Sequence, residues 1–132
     1  MMKASFTGTV KGTTPEQRAT LRELLVTLAV DELNHGASPV EACADWQADA
    51  IARELGIRVV HWPPANPSSA AMLARNKLVA EAGDVLFTCP GSFAVNPLRS
   101  GTWWTVRRAW DAKVAVIVIW PDGRWDALED RR

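Results

Sequence analysis

Tyrosine is absent from this 132-residue chain, and cysteine occurs only twice, at Cys43 and Cys89. Two cysteines, one at an apparent helix start and one at a strand end, do not make a disulfide framework. They fit reduced, packed thiols and a cytoplasmic location. Net charge is lacking as well: fifteen Lys and Arg balance fifteen Asp and Glu. No polyanion-binding surface is indicated, and no nucleic-acid partner is expected. No apolar run approaches the roughly 20 residues needed to span a bilayer, and nothing resembles a signal peptide, so no membrane partner is expected either. The Cys-x-x-Cys pairs and histidine clusters of metal sites are missing, and no metal is expected. No Gly-x-Gly-x-x-Gly follows the first strand, and no Gly-Lys-Ser/Thr closes a P-loop. A dinucleotide-dependent oxidoreductase and a P-loop ATPase are both unsupported, and no cofactor is implied.

What the chain does have is seven tryptophans and a regular alternation of strand-like and helix-like segments. The tryptophans imply aromatic packing in a core, a base-stacking pocket or an oligomer interface. Lys3–Val10 reads as a first strand, followed by a polar loop carrying Gly12. Thr14-Pro15-Glu16-Gln17 combines a Thr cap, Pro at the first helical position and a capping-box Gln. The helix it opens carries Leu21, Leu24, Leu25, Leu28 and Ala29 at helical spacing and is expected to run to about Leu33. A strand of only two to four residues then ends near Gly36. A second helix spans Ala44–Leu55 with Gly56 behind it, and Ile57–His61 is a β-branched strand. Trp62-Pro-Pro-Ala-Asn-Pro67 cannot be regular. Ser68 caps a helix over Ser69–Ala82, with Ala71, Met72, Leu78 and Val79 expected toward the core, and Val85–Cys89 is a buried strand. A helix from about Thr102 to Ala112, a strand over Val114–Ile119 and a short edge strand near Arg124–Leu128 complete the chain.

This pattern predicts an α/β fold: a three-layer Rossmann-like sandwich around a mostly parallel sheet of about five strands, plus a short C-terminal edge strand. At this length residues 1–132 form a single domain. Ligands of such sheets bind outside the carboxyl ends of the strands, where the winding reverses, and the polar, glycine-bearing loops here converge on that rim.

One stretch organises the reading: Pro97-Leu-Arg-Ser-Gly-Thr-Trp-Trp-Thr-Val-Arg-Arg-Ala-Trp110, between two buried strands. A helix opening at Ser100-Gly101-Thr102 presents unpaired N–H groups and a partial positive charge at a strand's carboxyl end. Gly101 allows close approach, Ser100 and Thr102 add hydroxyls, and Arg99 adds a charge, which together make a phosphate cradle. The plainer alternative is a Ser/Gly helix cap beside a surface arginine.

Other residues carry paired readings. Arg75 and Asn76 interrupt an apolar stripe, either as a solvated face or as a fork reaching a phosphate or carboxylate. His35 before Gly36 is a hydrogen-bonded structural histidine or a site residue. Asp45 either favours the helix dipole or bonds ligand hydroxyls. Trp103, Val106 and Trp110 share a face suited to a core or subunit contact. Trp104 and Arg108 form a cation–π pair on the next face. Asp122 fits a Pro-Asp-Gly turn.

Taken together, these residues resemble the SLOG (SMF/DprA–LOG) superfamily of Rossmann-like nucleotide-binding proteins, and within it the small stand-alone YpsA-like branch. The motifs are His35-Gly36, Cys43-Ala44-Asp45, Arg75-Asn76 and Arg99-Ser100-Gly101-Thr102-Trp103-Trp104-Thr105-Val106-Arg107. The resemblance covers nearly the whole chain, from Phe6-Thr7-Gly8 to Pro121-Asp122-Gly123, and the last motif is the most specific. Cys43 stands where the branch has glycine, and the segment from His35 to Asp45 is longer than in the branch. The related LOG phosphoribohydrolases, which release a base from a nucleoside 5′-monophosphate, carry Met-x-x-Arg and then Pro-Gly-Gly-x-Gly-Thr-x-x-Glu. This chain has Met72-Leu-Ala-Arg75, with Pro90-Gly91 separated by an insertion from Gly101-Thr102, and Thr105 at the carboxylate position.

The resemblance implies a nucleotide or nucleoside-phosphate ligand, held by Gly8, Thr9, His35, Gly36, Arg75, Asn76, Pro90, Gly91, Arg99, Ser100, Gly101, Thr102 and Trp103. It also implies a homodimer, contacting through the third and fourth helices. An N-glycosidic hydrolase or transferase is the enzymatic alternative, with Arg75 and Asp45 as its catalytic residues; Asp122 is a second stand-in for the missing glutamate. An oligomeric interaction module with a vestigial rim is the third reading.

Overall fold

A computed structural model describes all of residues 1–132. The chain runs β1 (Met2–Gly8), α1 (Pro15–Thr27), β2 (Val30–His35), α2 (Ala44–Glu54), β3 (Arg58–His61), α3 (Ser69–Ala82), β4 (Val85–Cys89), α4 (Gly101–Asp111), β5 (Ala115–Ile119) and β6 (Trp125–Leu128). The six strands form one sheet in the order β3-β2-β1-β4-β5-β6. All pairs are parallel except β5 with β6. This is the expected α/β sandwich with an antiparallel edge. No helix is long and apolar enough to cross a membrane.

The layers follow from the two-residue period of the strands. Val85, Phe87 and Cys89 of β4 face one way and pack with Ala4 and Phe6 of β1, Leu21, Leu24 and Leu25 of α1, and Ala48, Ile51 and Ala52 of α2. Leu86, between them, faces the other way and packs with Val116 and Val118 of β5, Trp103, Val106, Ala109 and Trp110 of α4, and Ala80 of α3. Thus α1 and α2 cover one face and α3 and α4 the other. The Trp103–Val106–Trp110 stripe is core, while Arg108 lies over Trp104 at 4.8 Å on the outer side.

The end of α1, the length of β2 and the inward faces of α2 and α3 differ from expectation. The first helix ends at Thr27 rather than near Leu33: Leu28 caps it and Ala29 takes a left-handed φ of 51°. Val30 and Leu33 continue the apolar helical spacing but belong to a six-residue strand, hydrogen-bonded to β1 on one side and β3 on the other. A strand buried on both faces shows no alternation, so its periodicity does not separate it from the preceding helix. In α3 the residue turned inward is Arg75, with Val79 and Ala80, whereas Leu78 is 49% exposed. In α2, Ala50 is exposed and Asp49 is buried.

Gln17 ties the two ends of the chain together. Its Oε1 accepts from the Thr14 amide, completing the capping box, while its Nε2 donates to the Pro90 and Ile119 carbonyls, both at 2.9 Å. Thr14 and Thr20 donate their hydroxyls to the Pro121 and Gly123 carbonyls, so α1 also docks the β5–β6 turn. Replacing Gln17 by Leu leaves two carbonyls at the ends of β4 and β5 without this donor. A loss of about 2–4 kcal/mol is expected in urea unfolding, on the cost of about 1–3 kcal/mol per orphaned buried group.

Candidate functional site

The winding of the sheet reverses between β1 and β4. The connection after β1 leads to α1 on one face, and the connection after β4 leads to α4 on the other. A cleft of about 790 Å³ opens there, above the carboxyl ends of both strands, the place where such sheets hold ligands. Its floor is Thr7–Lys11 from the end of β1 and Pro90–Ser92 from the end of β4. The Thr9 amide donates to the Cys89 carbonyl, and its own carbonyl receives the Ala44 amide at the start of α2. Gly8 is required for this closeness: a Cβ there would lie 2.6 Å from Ala44 Cβ.

The helix N-terminus on the far side is built as expected. Ser100 caps α4, its hydroxyl accepting the Trp103 amide at 3.2 Å. The Gly101 and Thr102 amides, at the first two helical positions, have no hydrogen-bond partner, and both residues line the cleft. Trp103 drives the helix into the core at 1% exposure. Arg107 reaches back to the Asn96 side chain at 2.6 Å and to the Leu98 carbonyl at 3.3 Å, setting how the chain enters the helix. A Cβ at Gly101 would meet nothing within 4 Å, so packing does not demand glycine there.

The opposite wall joins α3 to the segment after β2. Arg75 donates through Nη1 to the Gly36 carbonyl and through Nε to Asn76 Oδ1 at 2.8 Å. Gly36 accommodates it, since a Cβ there would lie 2.5 Å from that same Nη1. Asp45, in the first turn of α2, lines the cleft and accepts the Ser38 amide at 3.4 Å. Burial pushes the Asp45 carboxyl above its usual 3.8, and His35, Arg75 and the Ser38 amide only partly offset this. Burial likewise lowers the Arg75 pKa, with Asp45 opposing. The wall therefore offers a cation with donors to spare and a carboxyl that takes up a proton more readily than an exposed one.

Of the residues expected at the site, Gly8, Thr9, Asp45, Arg75, Asn76, Pro90, Gly91, Ser100, Gly101, Thr102 and Trp103 line the cleft. His35, Gly36 and Arg99 do not. His35 and Gly36 support the wall from behind, and the exposed Arg99 precedes the helix cap outside the lining. The second cation that lines the cleft is instead the exposed Lys11, on the loop after β1. Asp122 lies in the β5–β6 turn, paired with Arg124 away from the cleft. Thr105, expected at the carboxylate position of the hydrolase motif, is buried and donates to the Gly101 carbonyl at 3.0 Å. Cys43 lines the cleft, and both cysteines are free and buried.

A cluster behind the wall was not legible from spacing. Register pairing of β2 with β3 sets His35 beside His61, and both rings meet Asp49 Oδ2, at 2.8 and 2.7 Å. Arg53 holds the other oxygen at 2.6 Å, and Trp46 packs edge-on against both imidazoles. Burial alone would raise the Asp49 pKa; the hydrogen bonds from His35, His61 and Arg53 outweigh it and hold it at about 2.

Fold and cleft together define a Rossmann-like α/β protein with a polar site at the reversal point of its sheet. Comparison with family models, with curated proteins and with solved structures found no match to this chain.

The environment of Asp45 sets a stability signature. A carboxyl whose folded pKa lies above its unfolded value favours the fold fully below about pH 3.8 and loses that contribution as pH rises through the folded pKa. Asp45→Asn keeps an oxygen for the Ser38 amide and removes the buried charge. It is expected to raise the melting temperature of the ligand-free protein by a few degrees at pH 7.5, with the gain vanishing toward pH 4. Differential scanning fluorimetry across that range checks it.

Proposed function

We propose that this protein binds a nucleotide or nucleoside phosphate in the cleft above β1 and β4. The observation that carries the reading is the open N-terminus of α4, with the Gly101 and Thr102 amides facing a polar cleft that also holds Arg75 and Lys11. Such a terminus favours an anionic oxygen through its amides and its dipole. Phosphate sits on those two amides, with the Ser100 and Thr102 hydroxyls beside it. Gly8 and Thr9 form the floor, and Asp45 takes sugar hydroxyls. The volume is within the range of sites for small organic ligands. The resemblance of Arg99–Arg107 to the SLOG motif supports the same ligand class.

A second reading, N-glycosidic hydrolysis or transfer on the bound nucleotide, is favoured by one observation: Asp45 combines a place in the cleft with a raised pKa. A carboxyl so poised can act as a general acid or base at the sugar. With Thr105 turned into its own helix, Asp45 is the carboxyl left to do so at this rim.

A thermal-shift screen of nucleoside mono- and diphosphates separates these readings. A ligand at a hundred times its Kd stabilises by about 2.7 kcal/mol, and chromatography of the hits detects released base. Binding without release supports the first reading, and release that Asp45→Asn abolishes supports the second. Gly101→Leu fits the fold but fills the space before the amides. It is expected to leave the ligand-free melting temperature unchanged and to weaken binding at least tenfold, about 1.4 kcal/mol. Unchanged affinity would place the phosphate elsewhere.

A further inference from the structure

The three groups behind the wall could be taken for a metal site, since His35, Asp49 and His61 bring ligand atoms within 4.8 Å of one another. The second nitrogen of His35 argues otherwise. Its Nδ1 lies 3.0 Å from the Ala37 amide nitrogen, and a backbone amide can only donate. Nδ1 must therefore be unprotonated, and the single proton of the neutral ring sits on Nε2, where it is given to Asp49 Oδ2. A cation at Nε2 would have to displace that proton, and with Nδ1 still accepting from Ala37 the ring would be left an imidazolate.

We propose that His35 is a positioning residue for the cleft: its neutral Nε2–H form, held by Asp49, anchors the segment Gly36–Ser38 through the Ala37 amide, and that segment sets Arg75 and Asp45 for the ligand. The proposal rests on the reading of the cleft as a phosphate-ligand site.

Each residue of the segment passes the anchor on. Gly36 gives its carbonyl to Arg75. Ala37 holds a left-handed φ of 48°, a conformation costly for alanine unless its surroundings impose it. Ser38 gives its amide to Asp45 and receives the Trp46 indole N–H at 2.8 Å on its carbonyl. A second proton on His35 would set an Nδ1–H against the Ala37 N–H, donor against donor, and release the segment.

The groups facing the ring are Asp49 and Asp45 from α2 and His61 from β3, with Arg53 bound to Asp49 and Arg75 bound to Gly36. Burial holds the His35 imidazole below its ordinary 6.5 against the pull of Asp49 and Asp45, aided by His61. A histidine whose folded pKa is depressed supports the fold fully above about pH 6.5 and loses that support as pH falls toward the folded value. The anchor is thus in place at neutral pH and fails on acidification.

Two substitutions divide the ring's two bonds. His35→Asn keeps an acceptor near the Nδ1 position for Ala37, and His35→Gln keeps a donor near the Nε2 position for Asp49. With AMP as the probe at pH 7.5, Asn should hold affinity within about threefold of wild type and Gln should lose about tenfold or more, the scale of one buried hydrogen bond. On acidification from pH 7.5 the wild type should lose more AMP affinity than the Asn variant, which shares only the loss that protonation of the AMP phosphate brings. Long-range ¹H–¹⁵N spectra of the ligand-free wild type should show His35 as the Nε2–H tautomer, and amide exchange at Ala37, corrected for intrinsic rate, should accelerate on acidification.

An Nδ1–H tautomer overturns the proposal, as do equal affinities of the two variants. So does added Zn²⁺ that raises the melting temperature and shifts both ring signals. If neither variant folds, the wild-type tautomer and its pH course decide. If the wild type shows the tautomer and the protected amide yet does not bind AMP or the other nucleotides of the screen, the anchor stands and the nucleotide reading fails.

Discussion

The parallel pairing of β1 with β4 is the constraint on which the rest of the molecule depends. The two strands are neighbours in the sheet but far apart in sequence, and their following helices lie on opposite faces. Neither connection can cover the carboxyl ends of both strands, so a gap is left where backbone amides and short loops meet. Every feature of the cleft is a response to that gap. Gly8 lets α2 approach β1, Gln17 satisfies the carbonyls at the ends of β4 and β5, and Ser100 starts α4 with two amides uncommitted.

The wall that closes the gap on the β2 side is made of charged groups in a poorly solvated setting, where each must find a partner or shift its protonation. Arg75 uses a carbonyl and a neighbouring amide side chain, Asp49 collects three N–H donors, and Asp45 has only one long hydrogen bond. The difference between the two aspartates is informative. They stand four residues apart on one helix, yet one is held strongly acidic and the other is pushed up. Full satisfaction suits a support, whereas an under-partnered carboxyl in a cleft is free to engage a ligand.

Local signals accounted for most of the elements. Thr14-Pro15 with Gln17, Ser68 before α3 and Ser100 before α4 each start a helix where their side chains can cap it, and all three do. The end of α1 was not legible because Val30 and Leu33 serve equally as the next turn of a helix or as a strand buried on both faces; only pairing with β1 and β3 separates the two. Arg75 was visible as an odd residue on an apolar stripe, but its burial against Gly36 was not, since that contact joins positions 39 apart.

From its residue order alone the chain specifies where strands and helices alternate, which helix opens on a serine cap and a glycine, and that polar loops follow the strands, because caps, periods and turn residues act over a few positions. The partners of buried charge are set by the assembled sheet. The two histidines converge only through the register of β2 on β3, Lys11 rather than Arg99 faces the cleft only through the path of the loop after β1, and Thr105 and Asp122 are removed from it by helix phase and turn direction. These outcomes depend on distances between segments remote in sequence, which no local preference encodes.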